Sequence, residues 1–416
     1  MKPNLALLST LLLLTATPET AGAQRLRAVD SAMFAVIASG KVPGGVALVM
    51  SQGRIVHHQA YGSADPVGRQ PMDTASVFRI ASMTKAVVSV ALLQQVASKG
   101  LSLDMPVERL LPAFGPQQVA VPEKGTYRQI EKNRSVTLRD LLTHRSGISS
   151  ATEHPAFTAL FRKYGLESPL GLGFTDLAAQ VDAIAAMPLV HQPGARFSYG
   201  SSTEVVGRLV EVLSGMPLDR YLRRHLFRPL GMNDTGFRLR ASQASRLVPV
   251  CMTGQDSRLT TVDTALFKVD FPLDRKSRYV SAAGGLVSTA SDYARFLQCL
   301  LDGGVRNGVR ILEGRWVDSL VTNQLGDATF IFGGIRSLNR FGLGVGLTSR
   351  AGTAITHASE GSFFWGGALN TSYLVDPRRG ILTVFLFQRL PFDLAPVLSS
   401  LERTAFDALL SGSTLQ

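Results

Sequence analysis

The 416-residue chain is 45% hydrophobic and 18% charged, a globular composition that excludes disorder. Its 43 Lys and Arg outnumber 31 Asp and Glu, for a net charge of +12. The excess is mostly dispersed arginine with no RNA- or DNA-binding signature beside it, so it reads as solubility rather than nucleic-acid binding. Such a surface would also suit anionic envelope polymers or anionic substrates.

Near the start, Lys2 precedes an apolar run from Leu5 to Leu14, and Ala21-Gly22-Ala23 forms a small-residue cleavage signal. This predicts a secretory signal peptide over 1–23, too short to span a bilayer. No Cys follows the cleavage point, so a lipid anchor is not expected. The expected mature protein starts near Gln24, reaches the periplasm or the medium, and makes no stable membrane insertion. About 390 residues then remain, enough for two packed units.

Gly45–Met50 and Ile55–Tyr61 read as strands around a turn at Ser51-Gln52-Gly53-Arg54. Val87–Val96 is an almost uniformly apolar helix ended near Gly100, which implies packing on every side. Lys85 enters that segment, where an ammonium is costly unless paired or neutralised. Asp104–Glu131, carrying Pro106, Pro112, Pro116 and Pro122, reads as loop, and Thr137–His144 as a short amphipathic helix before Ser146-Gly147. Ser201–Leu213 is a helix whose Ser201-x-x-Glu204 start predicts a capping box, with Gly215 as its C-terminal cap.

Cys251 and Cys299 cannot make a disulfide framework. They read as buried free thiols, with a single bridge as the alternative. No C-x-x-C or His-x-x-x-His spacing suggests a metal. Ala283-Gly284-Gly285 precedes a helix from Thr289 to Leu301. Phe341–Leu347, Leu369–Val375 and Ile381–Phe387 are expected strands, the last two joined by the Asp376–Gly380 turn, and Thr404–Leu410 belongs to a closing amphipathic helix. Strands at both ends predict one mixed sheet built from both termini, over 24–80 and 281–416, with a mainly helical unit of 81–280 inserted.

Ser82-Met83-Thr84-Lys85 is the sole Ser-x-x-Lys of the chain. Three residues along a helix put hydroxyl and amine on one face, and a desolvated lysine can take the proton that makes serine a nucleophile. Tyr199-Gly200-Ser201 stands at a helix entrance, and a phenol beside an ammonium gives up its proton more readily, so the pair could share a proton in transit. Trp365-Gly366-Gly367-Ala368 leads into an apolar strand, where two glycines let substrate approach the backbone. For Tyr199 and the Trp365 segment taken alone, core packing is the simpler reading.

In this order, the three segments resemble the serine β-lactamase and penicillin-binding-protein superfamily, in particular its class C β-lactamase-like carboxylesterase and transesterase branch. Supporting stretches are Phe78–Lys85, Leu141–Gly147, Pro193–Tyr199, Gly284–Thr289 and Trp365–Gly367. The resemblance implies an α/β (α+β) fold, a mainly antiparallel sheet flanked by helices plus an inserted helical domain. It implies Ser82 as nucleophile, Lys85 with Tyr199 as base and acid, and the N–H groups of Ser82 and Ala368 as oxyanion hole. Trp365, Gly366, Gly367 and Ser201 would contact substrate, and neither metal nor cofactor is required.

Two departures bear on the substrate. Ser201 stands where lactamases and peptidases of the group usually carry Asn, and Trp365 where they carry Lys or His. Without that cation a lactam carboxylate loses its partner, whereas an uncharged ester loses nothing, and Trp365 offers an apolar wall instead. The expectation is therefore an ester hydrolase acting on a small molecule. A β-lactamase or D-alanyl-D-alanine carboxypeptidase is the alternative, and a non-catalytic envelope-binding protein a further one. His144 is expected to cap or pack, and His357 and Glu360 are weaker candidates to line the pocket. No G-x-S-x-G elbow, H-E-x-x-H or P-loop is present.

Overall fold

Seven antiparallel strands form the central sheet of the computed structural model, which describes residues 26–411 except 125, 151–154, 167–172, 255–257, 263–270, 274–276, 327–329 and 333–334. The expected signal peptide over 1–23 lies outside the described residues. The strands are β1 (Gly44–Ser51), β2 (Arg54–Gly62), β3 (Arg340–Phe341), β4 (Gly346–Leu347), β5 (Phe363–Gly367), β6 (Thr371–Asp376) and β7 (Ile381–Leu386). Across the sheet they run β3-β4-β5-β6-β7-β1-β2. The sheet closes between the two ends of the chain, with Val46 opposite Leu386 and Ser51 opposite Ile381.

The helices that frame the sheet and the site are α1 (Arg27–Ala38), α2 (Thr84–Lys99), α3 (Leu138–Leu142), α4 (Ser202–Ser214), α5 (Ala290–Leu301) and α6 (Ala395–Leu410). Strands β6 and β7 are buried at every position, as expected of a sheet covered on both faces. Successive side chains alternate between those faces. Ala47, Val49 and Phe385 join Val29 and Met33 of α1 and Leu398 and Leu401 of α6. Val46, Leu48, Val384 and Leu386 turn to the larger core that contains α2, α4 and α5.

Helix α2 is buried without interruption from Thr84 to Leu93, and Gly100 ends it in the left-handed conformation at φ 62°. Thr137 and Asp140 cap α3 reciprocally, and Thr289 caps α5 by accepting the Asp292 N–H. These boundaries agree with the periodicities of the sequence. Cys251 and Cys299 are free and buried. Among the described residues no helix is long and apolar enough to cross a membrane.

Three expectations are corrected. The presumed loop over Asp104–Glu131 contains a two-stranded ribbon, Val119–Glu123 paired with Thr126–Ile130. Its Pro122 is tolerated because a two-stranded ribbon is all edge. The single strand expected over Phe341–Leu347 is two strands: Gly344, at φ 87°, lets the chain turn, and the Gly342 N–H reaches the Val345 carbonyl. The strand expected from Leu369 begins at Thr371, and Trp365–Gly367 belong to the preceding strand β5.

Glu402 is buried on α6 where that helix meets β6. Burial pushes its carboxyl up to about 7, outweighing the Ser372 hydroxyl beside it. The folded chain then keeps a proton that the unfolded chain releases above the ordinary value of 4.5. Stability therefore falls as pH rises from 4.5 to about 7 and levels off beyond. Glu402→Gln is expected to abolish this decline and to stabilise the protein at pH 8 by about 1–3 kcal/mol, as measured by thermal unfolding across that range.

Candidate active site

The turn that carries Ser82 is fixed before α2 begins. Phe78–Arg79 pairs antiparallel with Val287–Ser288, and the Ile80 N–H donates to the Leu286 carbonyl at 3.0 Å. The Thr84 hydroxyl accepts from the Leu286 N–H at 3.1 Å, and the Tyr293 hydroxyl donates to the Met83 carbonyl at 2.9 Å. Between these anchors Ala81 is held at φ 44°, a conformation that disfavours residues with a Cβ. Ser82 follows, half-buried, in a single 3₁₀ turn that runs into α2.

Lys85 is only 4% exposed. Its Nζ lies 3.2 Å from Ser82 Oγ, donates to the Ala283 carbonyl at 2.8 Å, and stands 4.8 Å above the Tyr199 ring centroid. The amine therefore meets a hydroxyl, a carbonyl dipole and an aromatic face.

Tyr199 comes from the turn before α4. A Cβ on Gly200 would lie 2.4 Å from the Ser149 carbonyl oxygen, so only glycine lets that turn press against the 149 backbone. The phenol oxygen accepts the Trp365 indole N–H at 3.2 Å, and the centroids of the His144 and Tyr199 rings lie 4.7 Å apart. His144 is buried, and desolvation with the charge of Lys85 holds its imidazole well below the ordinary value. It is a neutral packing residue, as the sequence suggested.

Strand β5 runs beside the nucleophile turn. A Cβ on Gly367 would meet the Ile80 carbonyl oxygen at 2.4 Å and the Ala81 Cβ at 3.2 Å. This glycine lets the strand reach Ser82, and Ala368, next along, is exposed. Gly366 is half-buried, whereas Trp365 is 8% exposed, with its ring packed on Tyr199, Phe341 and Phe330. The indole thus serves chiefly to hold the phenol and offers substrate a small edge.

Ser82, Lys85, Tyr199, Trp365 and Gly367 converge, although 283 positions separate the first from Trp365 (365 − 82). His357 does not join them: its Nδ1 lies 2.6 Å from Asp407 Oδ1 on α6. Glu360 is exposed. The capping box expected at Ser201 is absent: Ser201 directly precedes α4, but its side chain makes no cap. Its supposed partner Glu204 turns inward instead, accepting from the Ser281 hydroxyl at 2.6 Å and the Ala282 N–H at 2.7 Å. Nothing in its sequence position separates such a carboxylate from a helix cap.

A Ser-x-x-Lys at the head of a buried helix, with a strand laid beside it, defines a serine acyl-transfer fold. The chain belongs to the Beta-lactamase family, which it matches over residues 28–401. It is 28% identical over 404 residues to monacolin J acid methylbutanoyltransferase of Aspergillus terreus, covering 90% of this chain and 93% of the relative. It is 27% identical over 377 residues to esterase EstB of Burkholderia gladioli, covering 86% and 89%. The structure of unliganded simvastatin synthase (LovD) from Aspergillus terreus superposes with a TM-score of 0.78 at 25% identity, covering 94% of this chain and 99% of that one. The family contains serine hydrolases and acyltransferases, and the expected β-lactamase/transpeptidase-like fold is present.

Gly367→Ala should force β5 away from the Ile80–Ser82 turn. The expected cost is about 1–3 kcal/mol of stability, read from urea unfolding.

Proposed function

We propose that the protein is an exported serine carboxylesterase that also passes acyl groups to alcohols. The observation that carries this reading is the 3.2 Å contact between buried Lys85 Nζ and Ser82 Oγ, with the phenol of Tyr199 fixed beside it. Ser82 Oγ attacks the ester carbonyl as Lys85 and Tyr199 take up its proton, and the tetrahedral oxyanion rests on the N–H groups of Ser82 and Ala368. The alcohol departs with a proton returned through Tyr199, leaving the acyl group on Ser82. Water then attacks that acyl-enzyme, its proton following the same route, and a second alcohol in its place completes a transfer. No cofactor enters these steps.

The indole at position 365 supports an uncharged substrate, since it offers no cation to a carboxylate. Ser201, where Asn would bind an amide, supports the same choice. The names of the two relatives, an esterase and an acyltransferase, agree with ester chemistry. Export rests on the signal-peptide pattern over 1–23.

The test compares p-nitrophenyl acetate and butyrate with nitrocefin in steady state. The esters should be the better substrates by kcat/KM, and dominant nitrocefin turnover would replace the ester reading with a lactamase. Ser82→Ala should abolish turnover and fluorophosphonate labelling while leaving the fold intact by circular dichroism. Normal folding of the wild type without labelling would favour a binding protein.

A further inference from the structure

Among the described residues, Glu204 is the buried carboxylate that interacts electrostatically with Lys85, and the steps above leave it unused. It lies on α4 five residues after Tyr199, 1% exposed. Its two oxygens accept from Ser281 and Ala282, and the Ser281 hydroxyl in turn accepts the Gly284 N–H at 3.1 Å. The next residue, Ala283, supplies the carbonyl that holds Lys85 Nζ at 2.8 Å. One turn further along α4, a Cβ on Gly207 would lie 2.3 Å from the Ala282 Cβ. The glycine lets the helix come close enough for the carboxylate to reach the loop.

We propose that Glu204 is a positioning residue that fixes the 281–284 loop against α4, so that the Ala283 carbonyl aims the Lys85 amine at Ser82. The carboxylate ties α4 to the 281–284 loop and, through that loop, to α2, while the Glu204 backbone N–H donates to the Ser201 carbonyl at 3.0 Å. A hydrophobic residue there would leave the Ser281 hydroxyl and Ala282 N–H buried without acceptors. Burial raises the carboxyl, and the bonds from Ser281, Ala282 and Ala283 with the charge of Lys85 oppose that. Among the described residues, Tyr279 is the other titratable group that interacts with it, while Lys85 also faces His144 and Tyr199.

The inference rests on Ser82 being the nucleophile with Lys85 as its base, so the test reads Ser82 itself. Fluorophosphonate labelling rates are compared across pH for wild type, Glu204→Gln and Ser281→Ala, with thermal melts as the check on folding. The amide of Glu204→Gln sets a donor against the Ser281 or Ala282 donor. Labelling is expected to slow about 10- to 100-fold, with the acid limb of its pH profile moved down by about half to one unit as a negative charge beside Lys85 is lost. Ser281→Ala, which removes one of the bonds, should slow labelling by about 3- to 10-fold.

An unchanged Glu204→Gln rate overturns the proposal, and so does a slower rate with an unmoved limb, which would leave a structural role only. If Glu204→Gln does not fold, an unchanged rate in Ser281→Ala overturns it. Wild type that is folded but unlabelled sinks the serine-nucleophile reading instead, and with it this one.

Discussion

A primary amine buried at the mouth of a hydrophobic helix is the constraint that orders this molecule. Taking an ammonium out of water costs several kcal/mol even after relaxation, and only well-placed partners offset it. Around Lys85 those partners are the Ser82 hydroxyl, the Ala283 carbonyl and the Tyr199 ring, each from a different stretch of chain. Most of the neighbouring architecture serves to bring them in. The ribbon of Phe78–Arg79 with Val287–Ser288 sets the serine turn against the segment that carries Ala283, and Glu204 ties that segment to the helix behind Tyr199.

Close approach of backbones is the second recurring theme. Gly200 against Ser149, Gly207 against Ala282 and Gly367 against Ile80 each stand where a methyl group would collide with a neighbour. Each lies at a junction between segments that contribute a functional group. Glycine here trades backbone entropy for proximity. The aromatic side chains finish the enclosure: Trp365 anchors the phenol of Tyr199, while neutral His144 packs against its ring without adding a competing charge.

Much of this was legible in the order of residues. The all-round apolar stretch after Lys85 announced a central helix, and strands near both ends announced a shared sheet. Ser82, Lys85, Tyr199 and the Trp365 strand were identifiable through their chemistry and their order along the chain. Other features were hidden for physical reasons. Residues 341–347 carry a strand-like apolar pattern, yet two glycines fold them back on themselves, and periodicity does not register a reversal that short. Pro122 suggested a loop because a ribbon with two edges tolerates it. Ser201 and Glu204 have the spacing of a helix cap, and only the position of residues 281–282 in space reveals the other use of the carboxylate. Trp365 was expected mainly as a wall for substrate, but its indole nitrogen spends its hydrogen on the neighbouring tyrosine.

The pairing of β1 with β7 has a consequence for how the molecule comes into being. Residues 46–51 find their partners at 381–386, so the middle of the sheet cannot be zipped until residues 381–386 have been synthesised. Closing so large a loop makes for slow, non-local assembly. A nascent chain therefore has no finished platform beneath its serine, and a chain cut short before the last hairpin would leave β1 paired with β2 alone, its other edge open.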